Sequence, residues 1–308
     1  MAGEAADGGS GETLGTVADL VANAPAKVNL TLRVLARRAD GYHDIESLVV
    51  FADLGDRLTL APGPTLALDV RGPTALAGDV ADNLVLKAAR ALEQRVSGLR
   101  HGCFALTKQL PVAGGLGGGS SDAAAALRLL AEVNAVGADD PRLLAAARVT
   151  GADVPVCLDP RPRLMRGIGD VLSPPIDLPN LPAVLANPGV AVATKDVFAI
   201  LGRVPGERAM APSIDPAAIP RQHHALVEFL AAETNDLEAP AIRLAPVIAT
   251  TLDALRALPG CQLARMSGSG ATCLALFDSR GAADDAARRL RVTRPGWWIE
   301  ATVLGRAD

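Results

Sequence analysis

Aromatic side chains are nearly missing from this chain: its 308 residues include one tyrosine, two tryptophans and five phenylalanines. The core must therefore be filled mainly by Ala, Val and Leu, and an apolar share of 49% allows that. Cysteine and histidine are scarce as well. Cys103, Cys157, Cys261 and Cys273 form no C-x-x-C pair, and the 4 histidines are too few to complete a zinc site with them. Each cysteine reads as a small buried hydrophobe of a reduced, cytoplasmic protein. No apolar run reaches the length that spans a bilayer, so no membrane partner is expected. Basic excess is missing too. The 30 Lys and Arg stand against 34 Asp and Glu, a net charge of −4 with no footprint for nucleic acid. An anionic small molecule stays open, because a local cluster of lysine and backbone amides binds one whatever the total charge.

The length is long for one core and comfortable for two. Met1 to about Asp19 is acidic and rich in Gly and Ala, unlike the basic-then-apolar layout of a signal peptide. It reads as a disordered extension, residues 1–22, ahead of the folded part. Val28, Leu30, Leu32 and Val34 alternate with Asn29, Thr31 and Arg33, the period of a half-buried strand. Lys27 falls in phase with Asn29, so both project from one face. Asp40-Gly41 marks a turn, and a second strand starts at Leu48. Leu66–Val70 and Cys103–Lys108 read as strands, with a helix capped by Asn83 and running to about Val96 between them. Asp140-Pro141 opens a helix that Gly151 stops, and Val156–Leu158 is strand-like. The proline-rich Ser173–Pro182 reads as a linker, giving domains at 23–175 and 176–308. Beyond it come a strand at Ala183–Ala186, a helix at Lys195–Leu201 and a mobile Pro/Gly-rich loop at Gly202–Pro220. Helical patterns at Gln222–Ala232 and Ala245–Leu258 follow, then a strand at Thr272–Phe277. A helix at Asp284–Leu290 and a strand at Trp297–Val303 end the pattern. Strands and helices interleave without strict βαβ repetition, which favours an α+β class.

The segment that carries chemistry is Pro111, Val112, Ala113, Gly114, Gly115, Leu116, Gly117, Gly118, Gly119, Ser120 and Ser121, with an alanine-rich run straight after it. Five of the six positions from Gly114 to Gly119 have no side chain. Glycine lets backbone amides crowd around a ligand and take positive φ without strain. A helix starting at about Ser121 adds unpaired N–H groups and the positive end of its dipole. The combination is a phosphate cradle. It contains no G-K-[ST], so it is not a Walker loop, and it fails G-x-G-x-x-G, which disfavours a dinucleotide fold. A flexible linker would not run straight into a strong helix former. Ser120 and Ser121 either cap the helix or touch phosphate oxygens and a metal ion.

Pro111–Ala126 resembles the P-x-x-x-G-L-G-G-G-S-S segment of the GHMP kinases, which bind ATP phosphates without a Walker lysine. Pro25-Ala-Lys-Val-Asn29 and Ser267-Gly-Ser-Gly-Ala-Thr-Cys273 agree with the same family. Arg37-Arg-Ala-Asp-Gly-Tyr-His43, Gly151-Ala-Asp-Val-Pro155 and Asn235-Asp-Leu-Glu238 resemble the branch whose substrate is a cytidyl diphosphate. The resemblance spans about Ala24 to Val303. It implies a two-domain α+β fold, with an N-terminal domain like the second domain of ribosomal protein S5 and a ferredoxin-like C-terminal domain. The active site would lie in the cleft between them. The implied reaction moves the ATP γ-phosphate, with Mg2+, to the 2-hydroxyl of a cytidyl-diphosphate-linked methylerythritol in non-mevalonate isoprenoid synthesis. A monomer or a homodimer would serve.

The resemblance also assigns roles. Lys27 and Asp153 become the catalytic pair, and Pro111 to Ser121 the ATP site. A carboxylate is a weak base for a free alcohol, but it accepts the proton late, when a loose transition state has acidified the hydroxyl. Val154 precedes Pro155 and is expected to be extended, stiffening the backbone after Asp153. Tyr42 is implied to stack on the cytosine, with His43 on its polar edge and Phe198 as the other wall. Asn29 reaches the polyol or a phosphate, and Gly268 and Gly270 shape a turn that closes the cleft. From the residues alone, plainer roles stand beside these. Asp153 is equally a turn residue after Gly151, Lys27 a solvated strand end, Tyr42-His43 loop packing, and Gly268-Gly270 a structural turn. Adjacent His223 and His224 diverge on a helix, so no protein metal site is expected. Two other functions stay open: another small-molecule kinase of the family, of mevalonate or homoserine type, and a nucleotide-binding regulator that lost catalysis.

Overall fold

The computed structural model describes residues 19–75, 81–207 and 213–305. Two strands come first, β1 (Leu20–Asn29) and β2 (Arg33–Arg37), and both pair antiparallel with β3 (His43–Gly63). β4 (Ala67–Arg71), α1 (Leu84–Glu93) and β5 (His101–Thr107) follow, then the glycine loop and α2 (Gly118–Val133). α3 (Pro141–Thr150), α4 (Val154–Leu158), β6 (Arg163–Gly167) and β7 (Val171–Leu172) complete the first half. The second half opens with β8 (Leu181–Asn187), α5 (Thr194–Leu201), a 3-10 turn at Pro216–Ala218 and α6 (His223–Ala232). It continues through α7 (Glu238–Leu244), α8 (Val247–Arg256), β9 (Leu263–Met266) and β10 (Cys273–Leu276). α9 (Arg280–Thr293) and β11 (Trp298–Gly305) end it. The strands join one mixed sheet whose main path is β4-β5-β3-β11-β8-β10-β9. The architecture is the α+β arrangement that the sequence suggests.

β3 serves both halves. Its last third pairs with β5 and its first third with β2 and β6, β1 runs beside it from Leu60 to Val49, and Phe51 and Ala52 meet Gly305 and Leu304 of β11. Small side chains let α2 lie close against β1: Ala123, Ala124, Ala125 and Ala126 are fully buried in the first core. A second core joins the halves, packing Ala26, Val28, Leu48 and Val50 with Leu181, Leu185, Leu274 and Leu304. Each buried Leu contributes roughly 1.5–3 kcal/mol, so this shared cluster holds the two walls of the cleft together. The third core lies between the C-terminal strands and α8 and α9. Among the described residues no helix is long and apolar enough to cross a membrane.

Several local expectations are revised. Leu20 to Ala22, assigned to the extension, pair with Leu60 to Leu58; residues 1–18 lie outside the described residues. The single strand through Val28–Val34 is two strands, because Leu30 N–H turns to Leu48 O and Leu32 N–H to Thr234 O. β3 begins at His43 rather than Leu48. Its polar start is disguised by Glu46, which is fully buried against Arg166 at 2.8 Å. Val154 is helical, not extended, and Val156–Leu158 is helix rather than strand. Pro155 stands in the first turn of α4, where its missing N–H costs nothing. Of the Gly202–Pro220 segment, read as a mobile loop, 208–212 lie outside the described residues, and its last part packs on the protein. Ile214 and Ile219 are buried in the shared core, and Ile214 N–H donates to Glu46 Oε1 at 2.9 Å. The expected linker is packed too, since Ile176 and Leu181 belong to that core. α7 was not foreseen, its Pro240 masking a helix that tolerates proline in the first turn. Cys103 is exposed and Cys261 half-buried, leaving Cys157 and Cys273 as the buried pair of free thiols. The caps at Asn83 and Asp140 form as the local sequence demands, each accepting a backbone N–H two residues on.

Candidate active site

Pro25 has no N–H for the ladder, and the β1–β3 register slips between Pro25 and Lys27. A bulge of this kind re-aims the next side chain. Lys27 thereby meets the glycine loop, its backbone N–H donating to Leu116 O at 2.9 Å. Its Nζ lies 2.9 Å from Oδ2 of Asp153. Lys27 is 4% exposed, and an ammonium buried that far needs a carboxylate. Asp153 occupies the N-cap position of α4, yet its side chain accepts no helix N–H. The turn role therefore leaves the carboxylate for Lys27.

The loop is shaped from beneath. Leu116 is a peg in the shared core. Gly115 and Gly117 on either side of it have φ of 77° and 61°. A Cβ on Gly117 would stand 3.1 Å from the Lys27 side chain. Ser267 Oγ donates to Gly115 O at 3.1 Å, and Thr272 N–H to Gly114 O at 3.1 Å. α2 starts at Gly118, three residues earlier than expected, and Gly117 gives it no side-chain cap. Its first-turn N–H groups are left for a ligand, and the positive end of the dipole falls inside the glycine run. Ser120 faces the cavity. Ser121 is buried instead, and its hydroxyl donates to Pro25 O at 2.7 Å, tying α2 to the bulge.

Under the start of α2 lies a buried charge cluster. Lys108 Nζ donates to Asp122 Oδ2 at 2.8 Å and also contacts Asp56. Asp56 Oδ1 additionally accepts the Leu110 N–H at 2.9 Å. One ammonium thus serves two carboxylates, and Asp122 Oδ1 has no partner among the described residues. Burial pushes the Asp122 carboxyl up to about 7, against the pull of Lys108. A folded pKa above the unfolded one means that the native state holds a proton the unfolded chain has released. Stability should then fall as pH rises from about 4 through about 7. Urea unfolding at pH 5 and pH 8 is expected to show wild type losing about 1–3 kcal/mol relative to Asp122→Asn. Equal slopes in both proteins would remove Asp122 as the titrating group.

A cavity of about 810 Å3 runs over these residues. Lys27, Asn29, Asp153, Ala113, Gly115, Gly117 and Ser120 line it, together with Tyr42, His43, Phe198 and Gly268. Tyr42 is 60% exposed. The His43 ring stacks on Phe198 with centroids 4.5 Å apart and an interplanar angle of 19°. Burial pushes the His43 imidazole below its ordinary value, and the Arg37 and Arg203 guanidiniums push the same way. It is therefore neutral at pH 7, with one donor and one acceptor nitrogen. Among the described residues its buried Nε2 has no partner, and neither does Asn29 Oδ1. Asn29 Nδ2 donates to Ser47 Oγ at 2.7 Å, which turns the oxygen the other way.

Pro111, Val112, Gly114, Leu116, Gly118, Gly119, Ser121 and Gly270 are not on the cavity wall. Gly270 acts from behind, its carbonyl backing Gly115. Thr194 and Lys195, which the sequence did not single out, and Arg37 and Ser269, noted only as parts of motifs, also line the cavity. Thr194 and Ser269 hydroxyls meet at 2.8 Å, joining α5 to the second glycine turn. Asn235, noted only as part of a motif, is the clamp of that turn: its Nδ2 donates to Met266 O and Gly268 O, each at 2.8 Å. His223 bonds Gln262, and no cluster able to hold a metal forms among the described residues.

Residues 83–159 match the family description "GHMP kinases N terminal domain", and residues 217–293 match "GHMP kinases C terminal". A Methylorubrum extorquens protein named 4-diphosphocytidyl-2-C-methyl-D-erythritol kinase is 57% identical over 287 residues, covering 92% of this chain and 99% of its own. A Xanthobacter autotrophicus protein of the same name is 58% identical over 288 residues, covering 92% and 98%. The crystal structure of a 4-(cytidine 5'-diphospho)-2C-methyl-D-erythritol kinase superposes with a TM-score of 0.74 at 35% identity, covering 93% of this chain and 99% of the other.

Proposed function

The chain belongs to the GHMP kinase family, and on that premise we propose that it phosphorylates the 2-hydroxyl of 4-diphosphocytidyl-2-C-methyl-D-erythritol with ATP. The reaction is a step in non-mevalonate isoprenoid synthesis. One observation carries the reading: a single cavity brings the glycine loop and the Lys27–Asp153 pair together with the one tyrosine and the His43–Phe198 stack. A small acid or amino acid has no base to lay against those rings.

In this reading the amides of the Gly115–Gly119 turn and the start of α2 hold the ATP phosphates. Asp153 accepts the hydroxyl proton as the phosphorus–oxygen bond forms, and Lys27 orients the carboxylate and offsets charge on the transferring group. Asn29 Oδ1 is an acceptor for a polyol hydroxyl. Tyr42 stacks on the cytosine, and neutral His43 matches a base edge that both donates and accepts. Mg2+ fits as an ion carried mainly by the nucleotide. Ser120 is the side-chain oxygen on the wall beside the loop that would help to hold it, and Mg2+ takes few protein ligands besides phosphates and waters. When bound, it neutralises phosphate charge.

ADP release with a panel of acceptors tests the assignment. The cytidyl compound is expected to exceed homoserine and mevalonate by at least about 10³-fold in kcat/KM, because the small acceptors leave the base-binding residues unfilled. Comparable rates on either small acceptor would move the chain to another branch, and no turnover on any would leave a nucleotide-binding regulator.

A further inference from the structure

The cavity wall carries a charge surplus that phosphoryl transfer does not use. Its charged residues are Lys27, Asp153, Arg37 and Lys195. Lys27 and Asp153 neutralise one another, so Arg37 and Lys195 remain. Among the described residues no carboxylate pairs with either. Arg37 Nη1 reaches the Arg203 carbonyl at 3.2 Å, but its Nε is buried with no partner among the described residues. A buried donor left unpaired is costly, and on this wall it joins Asn29 Oδ1 and His43 Nε2 in the same condition.

Both cations sit beside the same pair of rings. Arg37 is the cross-strand partner of His43 in the β2–β3 register, so their side chains share one face. Lys195 precedes Phe198 by one turn on α5, again on one face. The His43–Phe198 stack brings the two elements together. A base lodged against these rings would have its own phosphates near the same two cations, whereas the phosphates of ATP would lie on the glycine loop.

We propose that Arg37 and Lys195 bind the diphosphate that links nucleoside to polyol in the acceptor, an assignment that rests on the reading above. Arg37 would engage it as a planar fork and Lys195 as a point charge at the exposed side. Two elements from different halves of the chain would then measure the distance between base and reacting hydroxyl. A nucleoside without the diphosphate would lose this part of its affinity.

Calorimetric titration of the whole protein with CDP and with cytidine tests this. CDP is expected to bind wild type at least about tenfold more tightly than cytidine. Lys195→Gln and Arg37→Gln should each weaken CDP by about tenfold and leave cytidine within about twofold. Lys195→Arg should recover most of the loss and Arg37→Lys, which keeps the charge without the fork, only part of it, which a merely structural role would not allow. If CDP and cytidine weaken together in the Gln variants, or CDP does not weaken, the assignment is overturned while the cytidyl reading stands. Equal affinity of the two ligands for wild type overturns it as well. If neither CDP nor cytidine competes with the cytidyl acceptor, the reading itself fails and takes the assignment with it.

Discussion

Asp153→Asn is expected to lower kcat by about 10³-fold while the affinity for a non-hydrolysable ATP analogue stays within about twofold. The substitution keeps an oxygen that accepts from Lys27 Nζ, where the native contact is 2.9 Å, but removes the charge that offsets the buried ammonium. Melting should therefore fall, though by less than on loss of the whole side chain. What disappears is the basic oxygen that takes the hydroxyl proton. Asp153→Ala should lose as much activity and more stability, because Lys27 would then be buried without even an acceptor. Comparing the two separates proton transfer from the hydrogen-bonded support of Lys27. If Asp153→Asn retains more than about a tenth of wild-type turnover, the carboxylate is not the proton acceptor, and its role reduces to holding Lys27.

Local signals in the sequence carried the parts of the site that are local in space. The glycine run, the Asn83 and Asp140 caps and the in-phase Lys27 and Asn29 each follow from neighbours a few residues away. The pairing of Lys27 with Asp153 did not, since nothing in either segment points to the other; family resemblance supplied it. The supports of the cradle were invisible for the same reason. Ser267 under Gly115, Thr272 on Gly114 and Asn235 across the second turn are contacts between distant segments. Buried polar positions also misled the reading of strands. Glu46 looks like a loop residue until Arg166 and the Ile214 N–H are found on its two oxygens. Arg37, met only as the start of a motif, and Lys195, met only as the start of a helix, were given no role, because a cavity formed by two separate elements leaves no pattern in either.

Gly115→Ala should do the most damage of any single methyl added to the loop. The residue has φ of 77°, a region costly for side chains. Its Cβ would fall 2.6 Å from Ser267 O and 2.8 Å from Gly270 O. Both are backbone atoms and cannot swing aside, so the loop must lift from the second glycine turn. The expected loss is about 2–4 kcal/mol in stability, with at least about tenfold weaker binding of an ATP analogue. Gly119→Ala is the counterpart. That residue is exposed in the first turn of α2, and its Cβ would meet only Leu84 Cδ1 at 3.4 Å. Alanine there should stabilise the helix by about 0.5 kcal/mol, so nothing in the fold demands glycine. If phosphates lie over this turn, the same methyl must obstruct them, and analogue affinity should fall as the melting temperature rises. Opposite signs in the two measurements mark a position kept bare for a ligand. An unchanged analogue affinity in Gly119→Ala would place the phosphates elsewhere and leave the loop a purely structural turn.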